Sequence, residues 1–332
     1  MNLHHLLQQR ENDRKPLRVA LIGAGKFGSM YLAQARSTPG MHVVAVADLH
    51  PDRARSSLLA TGWAIERIGA ATLADAARDR TTHLTDDVER VIASPQVDII
   101  VDATGSPSAG IRHVLACCAH GKSIVMVNVE ADALAGPLLA RTAQQAGIVY
   151  SLAYGDQPAL VCELVDWARA AGFEVVAAGK GTKYLPAYHA STPQTVWSHY
   201  GLTEDDARAG GLNAQMFNSF LDGTKSAIEM AAVANATGLL PAPTGSRSRP
   251  AASTTCRAYC DRARMVERST TPARWRSCRA SSATESRCSA TCAGACTSRF
   301  VAKARTWSAA SASTVCSPTT AAVTRRCTSR IT

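Results

Sequence analysis

The stretch Leu17-Arg18-Val19-Ala20-Leu21-Ile22-Gly23-Ala24-Gly25-Lys26-Phe27-Gly28 decides the fold, because a short apolar run passes directly into the pattern Gly-x-Gly-x-x-Gly. The apolar run predicts a buried strand, and residues 29–36 predict the helix that follows it. In such a unit the first glycine allows a tight turn, the second lets backbone approach a diphosphate, and the third lets helix and strand pack closely. The helix N-terminus then faces the phosphates. The unit predicts a dinucleotide site at Gly23, Gly25, Lys26, Phe27 and Gly28.

A second apolar run, residues 43–47, ends in Asp48, twenty residues after Gly28. A carboxylate at this spacing binds the adenosine ribose in dinucleotide-binding folds. Its position favours a dinucleotide site over the alternative that the glycines only turn a tight corner. Asp48 favours a ribose with a free 2′-hydroxyl and hence NAD, whereas Arg53 could bind a 2′-phosphate and so allow NADP to bind. The sequence leaves the choice between NAD and NADP open.

Two later apolar runs end in polar residues that we expect at the same edge of the sheet. One run ends in Thr104-Gly105-Ser106, and residues 123–127 end in Asn128. Ligands of doubly wound sheets lie outside the carboxyl ends of the strands, so these residues are predicted to contact the coenzyme. The alternative for residues 104–106 is an ordinary strand-to-helix turn.

The predicted fold class is α/β, with a Rossmann doubly wound parallel sheet followed by a truncated α+β catalytic domain. We assign residues 1–153 to the NAD(P)-binding domain, 154–245 to an incomplete catalytic domain and 246–332 to a tail that is expected to be disordered. Thr85 is predicted to cap a helix, and residues 218–230 are predicted to form a single helix. The sequence has no run long and apolar enough for a bilayer span and no signal-peptide core, so a cytoplasmic location is expected.

The basic charge of the chain is confined to its tail. The net charge is +10 overall, but residues 1–245 carry −3 and residues 246–332 carry +13. The tail contains eight of the eleven Cys and no Leu. At a usual Leu frequency of about one in ten, a Leu-free stretch of this length would arise by chance roughly once in ten thousand. We therefore hypothesise a frameshift near Gly245. The rival is a genuine basic disordered tail, but such tails avoid Cys and Trp, and this one has Trp275 and Trp307.

A third interpretation takes the tail as a metal or nucleic-acid module. Cys288, Cys292 and Cys296 are evenly spaced, but zinc sites pair a tight Cys motif with a second, distant pair and often with His. The tail contains no His. We therefore predict a small-molecule substrate, no metal ligand set, no nucleic-acid partner and no membrane partner, and a homo-oligomer is compatible with the sequence.

Charged residues in the second domain are the candidates for substrate chemistry. Lys180 and Lys183 lie among glycines at the end of a predicted strand, where they could bind a phosphate or carboxylate or donate a proton to a carbonyl. The alternative is a pair of solvated loop lysines. Asp222, Lys225 and Glu229 are predicted to share one face of the helix at 218–230. Such a face is often a salt-bridged surface, but the small apolar residues that follow indicate a buried helix.

Five motifs give the chain a family resemblance: Leu21-Ile22-Gly23-Ala24-Gly25-Lys26-Phe27-Gly28, Val127-Asn128-Val129-Glu130-Ala131-Asp132, Tyr154-Gly155-Asp156-Gln157-Pro158, Gly179-Lys180-Gly181-Thr182-Lys183-Tyr184 and Asp222-Gly223-Thr224-Lys225. With these, the chain resembles homoserine-dehydrogenase-like oxidoreductases with a C-terminal SAF domain, a group that includes deoxyxylulose-phosphate-reductoisomerase-like (DRL) enzymes. The resemblance spans roughly residues 10–243.

The resemblance implies an NAD(P)-dependent oxidoreductase that acts on a small hydroxy, keto or sugar-phosphate-like substrate. Some members reduce and isomerise a sugar phosphate, and a divalent metal is compatible with that chemistry. The residues it places around the substrate are Glu130, Asp156, Lys180, Lys183, Asp222, Lys225 and Glu229. The alternatives are a non-catalytic NAD(P)-binding regulator and an inactive truncated product, since the later catalytic elements and the SAF domain are replaced by the Leu-free tail.

Overall fold

A computed structural model of the chain describes residues 2–183, 185–241, 249–250, 274–275, 278–280 and 298–303. Side chains are described for residues 2–180 and 185–241. The chain forms two compact units, Met1–Asp156 and Gln157–Thr332. This division falls three residues after the predicted end of the nucleotide domain at residue 153.

The first unit contains a seven-stranded sheet in which every paired strand is parallel. Its strands are β1 (Leu17–Ile22), β2 (Met41–Ala47), β3 (Ile68–Ala70), β4 (Thr82–Thr85), β5 (Ile99–Asp102), β6 (Ser123–Met126) and β7 (Tyr150–Leu152). Its helices are α1 (Leu3–Asn12), α2 (Lys26–Ala35), α3 (Pro51–Ala60), α4 (Leu73–Asp79), α5 (Val88–Ala93), α6 (Pro107–His120) and α7 (Val129–Gln145), with a 3-10 turn at Ile65–Arg67. The strand order β3-β4-β2-β1-β5-β6-β7 confirms the predicted Rossmann sheet.

Apolar side chains fill both faces of this sheet. Successive residues of a strand point to opposite faces, so Leu21 packs in one buried cluster and its neighbour Ile22 packs in the other. Leu32 of α2 joins the first cluster, and Val114 of α6 joins the second. Strands covered by helices on both faces are what a continuous apolar run predicts.

The chain order of the strands reverses at β1, which lies between β2 and β5. In sheets of this kind the reversal opens a crevice at the carboxyl ends of the two central strands. Gly23 follows β1 with φ +97°, and a Cβ there would lie 2.8 Å from the carbonyl oxygen of Ala103. A Cβ on Gly28 would collide with the carbonyl oxygen of Gly23. Backbone segments therefore pack directly on one another at the floor of this crevice.

The region between residues 60 and 95 differs from the sequence prediction. The sequence does not predict β3 or β4, because β3 has only 3 residues and β4 carries polar residues such as Thr82 and His83 in place of an apolar run. The predicted helix start at Thr85 is wrong: Thr85 ends β4, and the side chain of Asp87 caps α5 by accepting a hydrogen bond from the amide of Arg90.

The second unit begins with a helix that packs against a long strand. Its elements are α8 (Gln157–Ala170), β8 (Glu174–Lys183), a 3-10 turn at Pro186–Ala190, α9 (Val196–Tyr200), α10 (Glu204–Ala209), α11 (Ala214–Leu221), α12 (Thr224–Thr237) and β9 (Leu240–Pro241). Val161 and Val165 of α8, Val175 of β8, and Met230 and Val233 of α12 belong to one buried apolar cluster, and Tyr188, Trp197 and Leu221 belong to a second.

The predicted single helix at 218–230 is wrong. The chain forms α11 and α12, which are separated at Asp222 and Gly223, and Gly223 has φ +91°, a conformation that ends a helix. Asp222 therefore lies at the end of α11, whereas Lys225 and Glu229 lie four residues apart on α12. The three charges do not share one helix face.

Parts of the tail lie in strands beside β8. The strands are β10 (Arg249–Pro250), β11 (Arg274–Trp275), β12 (Cys278–Ala280) and β13 (Ser298–Lys303). β12 pairs parallel and β13 antiparallel with β8, in the order β10-β12-β8-β13, and β11 pairs with β9. The prediction of disorder over 246–332 falls mostly outside the described residues. Among the described helices, none is long and apolar enough to cross a bilayer.

The contact between Gly28 and Gly23 predicts a large effect of Gly28→Ala. Helix propensity would favour alanine by at most about 1 kcal/mol, but a methyl group forced against main chain costs about 1–3 kcal/mol. We expect a lower midpoint of thermal unfolding for Gly28→Ala. Gly25→Ala is the matched control, because nothing lies within 4 Å of its Cβ position. Equal midpoints for the two variants would contradict this packing.

Candidate functional site

The glycine loop presents an open surface at the N-terminus of α2. Gly25 occupies the N-cap position and is exposed, as are Lys26 and Phe27 in the first turn. The space around the Cβ position of Gly25 is empty to 4 Å. The first amides of a helix lack intrahelical acceptors and carry the positive end of the helix dipole. These residues therefore fit a diphosphate held by main-chain amides.

Asp48 ties this loop to the end of β2. Its side chain accepts hydrogen bonds from the amide of Ala24 at 2.8 Å and the amide of His50 at 2.9 Å. Arg53 of α3 donates to both carboxylate oxygens, at 2.7 and 2.8 Å. Burial by itself would raise the pKa of Asp48, but the bonds from Arg53 and the two amides outweigh burial and lower it. Asp48 is therefore an anion at neutral pH.

The exposures of Asp48 and Arg53 differ sharply. The side chain of Asp48 is 1% exposed, whereas that of Arg53 is 54% exposed. Asp48 thus holds the glycine loop from its buried side, through the amide of Ala24, and orients the guanidinium group of Arg53, which faces solvent. The ribose contact predicted for Asp48 stays a prediction, and a direct contact would have to form beside three existing bonding partners.

The loop after β5 lies at the same edge of the sheet, as predicted. Asn128 is 1% exposed and caps α7 by accepting a hydrogen bond from the amide of Ala131. Its Nδ2 donates to Oγ1 of Thr104 at 3.1 Å and to the carbonyl oxygen of Ser106 at 2.7 Å. Asn128 therefore supports the loop from inside, whereas Gly105 is exposed at its tip. Asp102 and His113, which the sequence analysis did not single out, lie beneath the same loop.

Lys180 and Glu229 form a buried ion pair in the second unit. Lys180 is 9% and Glu229 is 3% exposed, and Nζ of Lys180 donates to the Glu229 carboxylate. Nζ also donates to Oε1 of Gln157 at 2.8 Å. The structure thus brings together two predicted site residues and adds Gln157, a residue of the motif at 154–158 that is not among the predicted site residues. The side chain of Lys183 lies outside the described residues.

Asp222 belongs to a different polar chain in the same unit. It accepts from Nδ2 of Asn218 at 3.0 Å and from the amide of Thr224 at 2.8 Å. Asn218 in turn accepts from the hydroxyl of Ser191 at 2.7 Å. Ser191 and Asn218 are both buried, and sequence reasoning missed both. They are 27 residues apart, so no local pattern connects them.

The remaining predicted site residues are distributed over the two units. Glu130 lies in the first turn of α7 and Asp156 at the end of the first unit, and both are half-buried. Lys225, also half-buried, lies in the first turn of α12 in the second unit. Among the described residues, His, Cys, Asp and Glu side chains form no group of three or more that could hold a metal ion.

Two protein families match consecutive parts of the chain. Residues 23–152 match the homoserine dehydrogenase NAD-binding domain, and residues 155–270 match the catalytic domain of oxidoreductase DRL. The second match extends 25 residues beyond the predicted boundary at 245.

Curated relatives match over part of their length. A 1-deoxy-D-xylulose 5-phosphate reductoisomerase from Xanthomonas campestris is 33% identical over 153 residues, covering 39% of this chain and 36% of the relative. A homoserine dehydrogenase from Mycobacterium bovis is 27% identical over 139 residues, covering 41% and 28%. The chain therefore spans about a third of the length of the curated relatives it matches.

Solved structures are more distant. A probable dehydrogenase from Thermotoga maritima has a TM-score of 0.37 at 16% identity, covering 67% of this chain and 56% of that one. A myo-inositol dehydrogenase from Lactobacillus casei, solved with NAD(H) and myo-inositol, has a TM-score of 0.36 at 14% identity, covering 55% and 50%.

The two family matches meet near the boundary between the two compact units, and the first contains the glycine loop together with β2 and β5. The coenzyme of such a domain is NAD or NADP. The chain is therefore similar, domain by domain, to NAD(P)-binding oxidoreductases: residues 23–152 to the homoserine dehydrogenase NAD-binding domain and residues 155–270 to the catalytic domain of oxidoreductase DRL.

Proposed function

We propose that the chain catalyses hydride transfer between NAD(P) and a small hydroxy, keto or sugar-phosphate-like substrate. The observation that carries this proposal is the buried Lys180–Glu229 pair in the DRL catalytic domain. A buried ion pair contributes little net stability, because desolvation of two charges offsets their attraction. A buried lysine with an ordered carboxylate partner is better explained by chemistry than by stability.

Lys180 is the proposed proton donor. An ammonium group has three N–H donors, and within the described part of the chain its bonds to Gln157 and Glu229 use two of them. The third can donate to a substrate carbonyl oxygen. When hydride from bound NAD(P)H reaches the carbonyl carbon, Lys180 transfers a proton to that oxygen, and the product is an alcohol. Glu229 and Gln157 orient the ammonium group.

The names of two relatives support the proposed substrate class. A relative named 1-deoxy-D-xylulose 5-phosphate reductoisomerase supports a sugar phosphate and an isomerisation step, and a relative named homoserine dehydrogenase supports a small hydroxy or keto substrate. The carboxylates of Glu130, Asp156 and Asp222 are proposed to orient substrate hydroxyls or a divalent metal, and Lys225 is proposed to line the substrate site. A non-catalytic NAD(P)-binding regulator is the alternative function.

We also propose that residues 246–332 are read out of frame. A CTG leucine codon read one nucleotide late begins with TG, which encodes Cys or Trp when C, T or G follows. Lost leucines would then reappear as the eight Cys and two Trp of this segment. Resequencing the gene tests this: an uninterrupted reading frame shared with relatives across the segment would end the proposal.

Gly25→Ala is expected to weaken coenzyme binding without unfolding the protein. A methyl group would fill the open space beside the first amides of α2, where the diphosphate is proposed to lie. We expect the Kd for NADH to rise about tenfold or more while the midpoint of thermal unfolding stays near that of the wild type. Titration of NADH fluorescence measures the affinity, and an unchanged Kd would place the diphosphate elsewhere.

Arg53 is proposed to let the site accept NADP. Its guanidinium group is half-exposed and oriented by Asp48, so it is available to a 2′-phosphate. Arg53→Ala is expected to weaken NADPH binding about tenfold and NADH binding less than twofold. Arg55→Ala, an exposed arginine on the same helix, is the control and should leave both affinities unchanged. Equal losses for NADPH and NADH would refute the assignment.

Removal of Lys180 is expected to lower turnover strongly and to leave coenzyme binding unchanged. Loss of a general acid lowers kcat by about 10²–10⁴-fold. Lys180→Met alone would remove one charge of a buried ion pair, so the test uses Lys180→Met together with Glu229→Gln, which removes both charges of the pair. NAD(P)H oxidation is measured with a panel of sugar phosphates and keto acids.

The matched measurement is the NADH Kd of the same double variant, which should equal that of the wild type because the coenzyme site lies in the first unit. Turnover at the wild-type rate would exclude Lys180 as the proton donor. Coenzyme binding by the wild type with no turnover on any member of the panel would favour the regulator.

A further inference from the structure

A buried hydrogen-bonded chain lies beneath the loop at residues 103–106, and neither the glycine motif nor the proposed catalytic groups use it. Asp102 ends β5 and is fully buried. Its Oδ1 accepts from the amide of Thr104 at 2.9 Å and from the hydroxyl of Thr104 at 2.8 Å. Its Oδ2 lies 2.9 Å from Nδ1 of His113, which donates in the tautomer protonated at that nitrogen.

The chain continues from Thr104 to the next strand and helix. Oγ1 of Thr104 accepts from Nδ2 of Asn128, and Asn128 also caps α7. One connected set of polar side chains therefore links α6, through His113, to the N-terminus of α7. A fully satisfied buried network of this kind fixes one geometry for the loop that it supports.

Two parts of the loop are held in different ways. Ala103 donates its amide to the carbonyl oxygen of Ile22 at 2.8 Å, so the backbone of β1 holds it in place beside Gly23. Thr104 and Ser106 lie beyond the end of β5, and the side chains of Asp102 and Asn128 hold them. Loss of the side-chain network would therefore release residues 104–106 but leave Ala103 and the glycine loop fixed.

We infer that Asp102 and His113 are positioning residues for the nicotinamide half of the coenzyme. This rests on the proposed function, in which the diphosphate lies on the glycine loop. The nicotinamide is then expected at the loop after β5, because that loop lies at the carboxyl end of the neighbouring strand, beside the same crevice. The adenosine and diphosphate contacts depend on main-chain groups of the glycine loop and on Asp48, whose described side-chain hydrogen bonds go to Ala24, His50 and Arg53 and not to members of this network. Loss of the network is therefore expected to weaken binding of the nicotinamide half of the coenzyme and to leave binding of the adenosine and diphosphate half unchanged.

The test compares NADH with ADP-ribose, which carries the adenosine and both phosphates but no nicotinamide. His113→Phe keeps an aromatic ring at this position but removes the imidazole N–H that donates to Asp102. We expect the Kd for NADH to rise about tenfold, the size expected for one lost bond to a charged group. The Kd for ADP-ribose should change less than twofold. His113→Leu removes the same donor with a smaller side chain and should show the same selectivity if phenylalanine does not fit.

The controls separate this role from general stability. His113→Gln restores an N–H donor and should keep NADH affinity within about threefold of the wild type. His42→Phe removes another buried imidazole, whose Nε2 lies 2.7 Å from the carbonyl oxygen of Thr81, and should change neither affinity. Equal weakening of NADH and ADP-ribose by His113→Phe, or no weakening, would overturn the inference. Failure of the wild type to bind either ligand would instead overturn the proposed coenzyme site.

Discussion

The first unit depends on the close approach of three backbone segments at the end of β1. Gly28 packs on the carbonyl group of Gly23, and Gly23 packs on the carbonyl group of Ala103. These contacts leave no room for a Cβ, so helix α2 can start directly above the strand only where glycine is present. They also set the depth of the crevice at which the strand order reverses. The positions of the α2 amides and of the loop after β5 both follow from this packing.

Buried charges in both units occur in partnered sets that orient other groups. Asp48 anchors the glycine loop and Arg53, Asp102 anchors Thr104, and Glu229 orients Lys180. An unpaired buried charge would be strongly destabilising, and a paired one contributes little net stability. Such pairs therefore contribute mainly to the orientation of the groups that they bind. Each holds a polar or charged group in one place, which hydride transfer and coenzyme recognition require.

The composition of the tail limits the side chains that it can supply to a core, but it does not prevent backbone pairing in the tail strands. A Leu-free segment rich in Arg, Ser, Thr and Cys supplies few side chains for a core, yet β12 and β13 pair with β8 through main-chain hydrogen bonds, which any residue except proline can donate. The family match to residue 270 overlaps this segment. The helices α8 and α12 pack on β8 through Val161, Val175 and Met230, all of which precede the change in composition.

The sequence by itself determined the Rossmann unit, because apolar runs, the glycine spacing and the carboxylate at Asp48 are local patterns with direct backbone consequences. It also selected Lys180 and Glu229. It failed at β3, which has only 3 residues, and at β4, whose polar residues give no periodic signal. It also failed at Gly223, where one positive φ divides a helix that the pattern predicts as continuous. Tertiary structure alone decided which distant side chains meet: Asp102 with His113, Ser191 with Asn218, and Lys180 with Gln157. Such contacts depend on how strands and helices are placed in space, and spacing along the chain does not encode them.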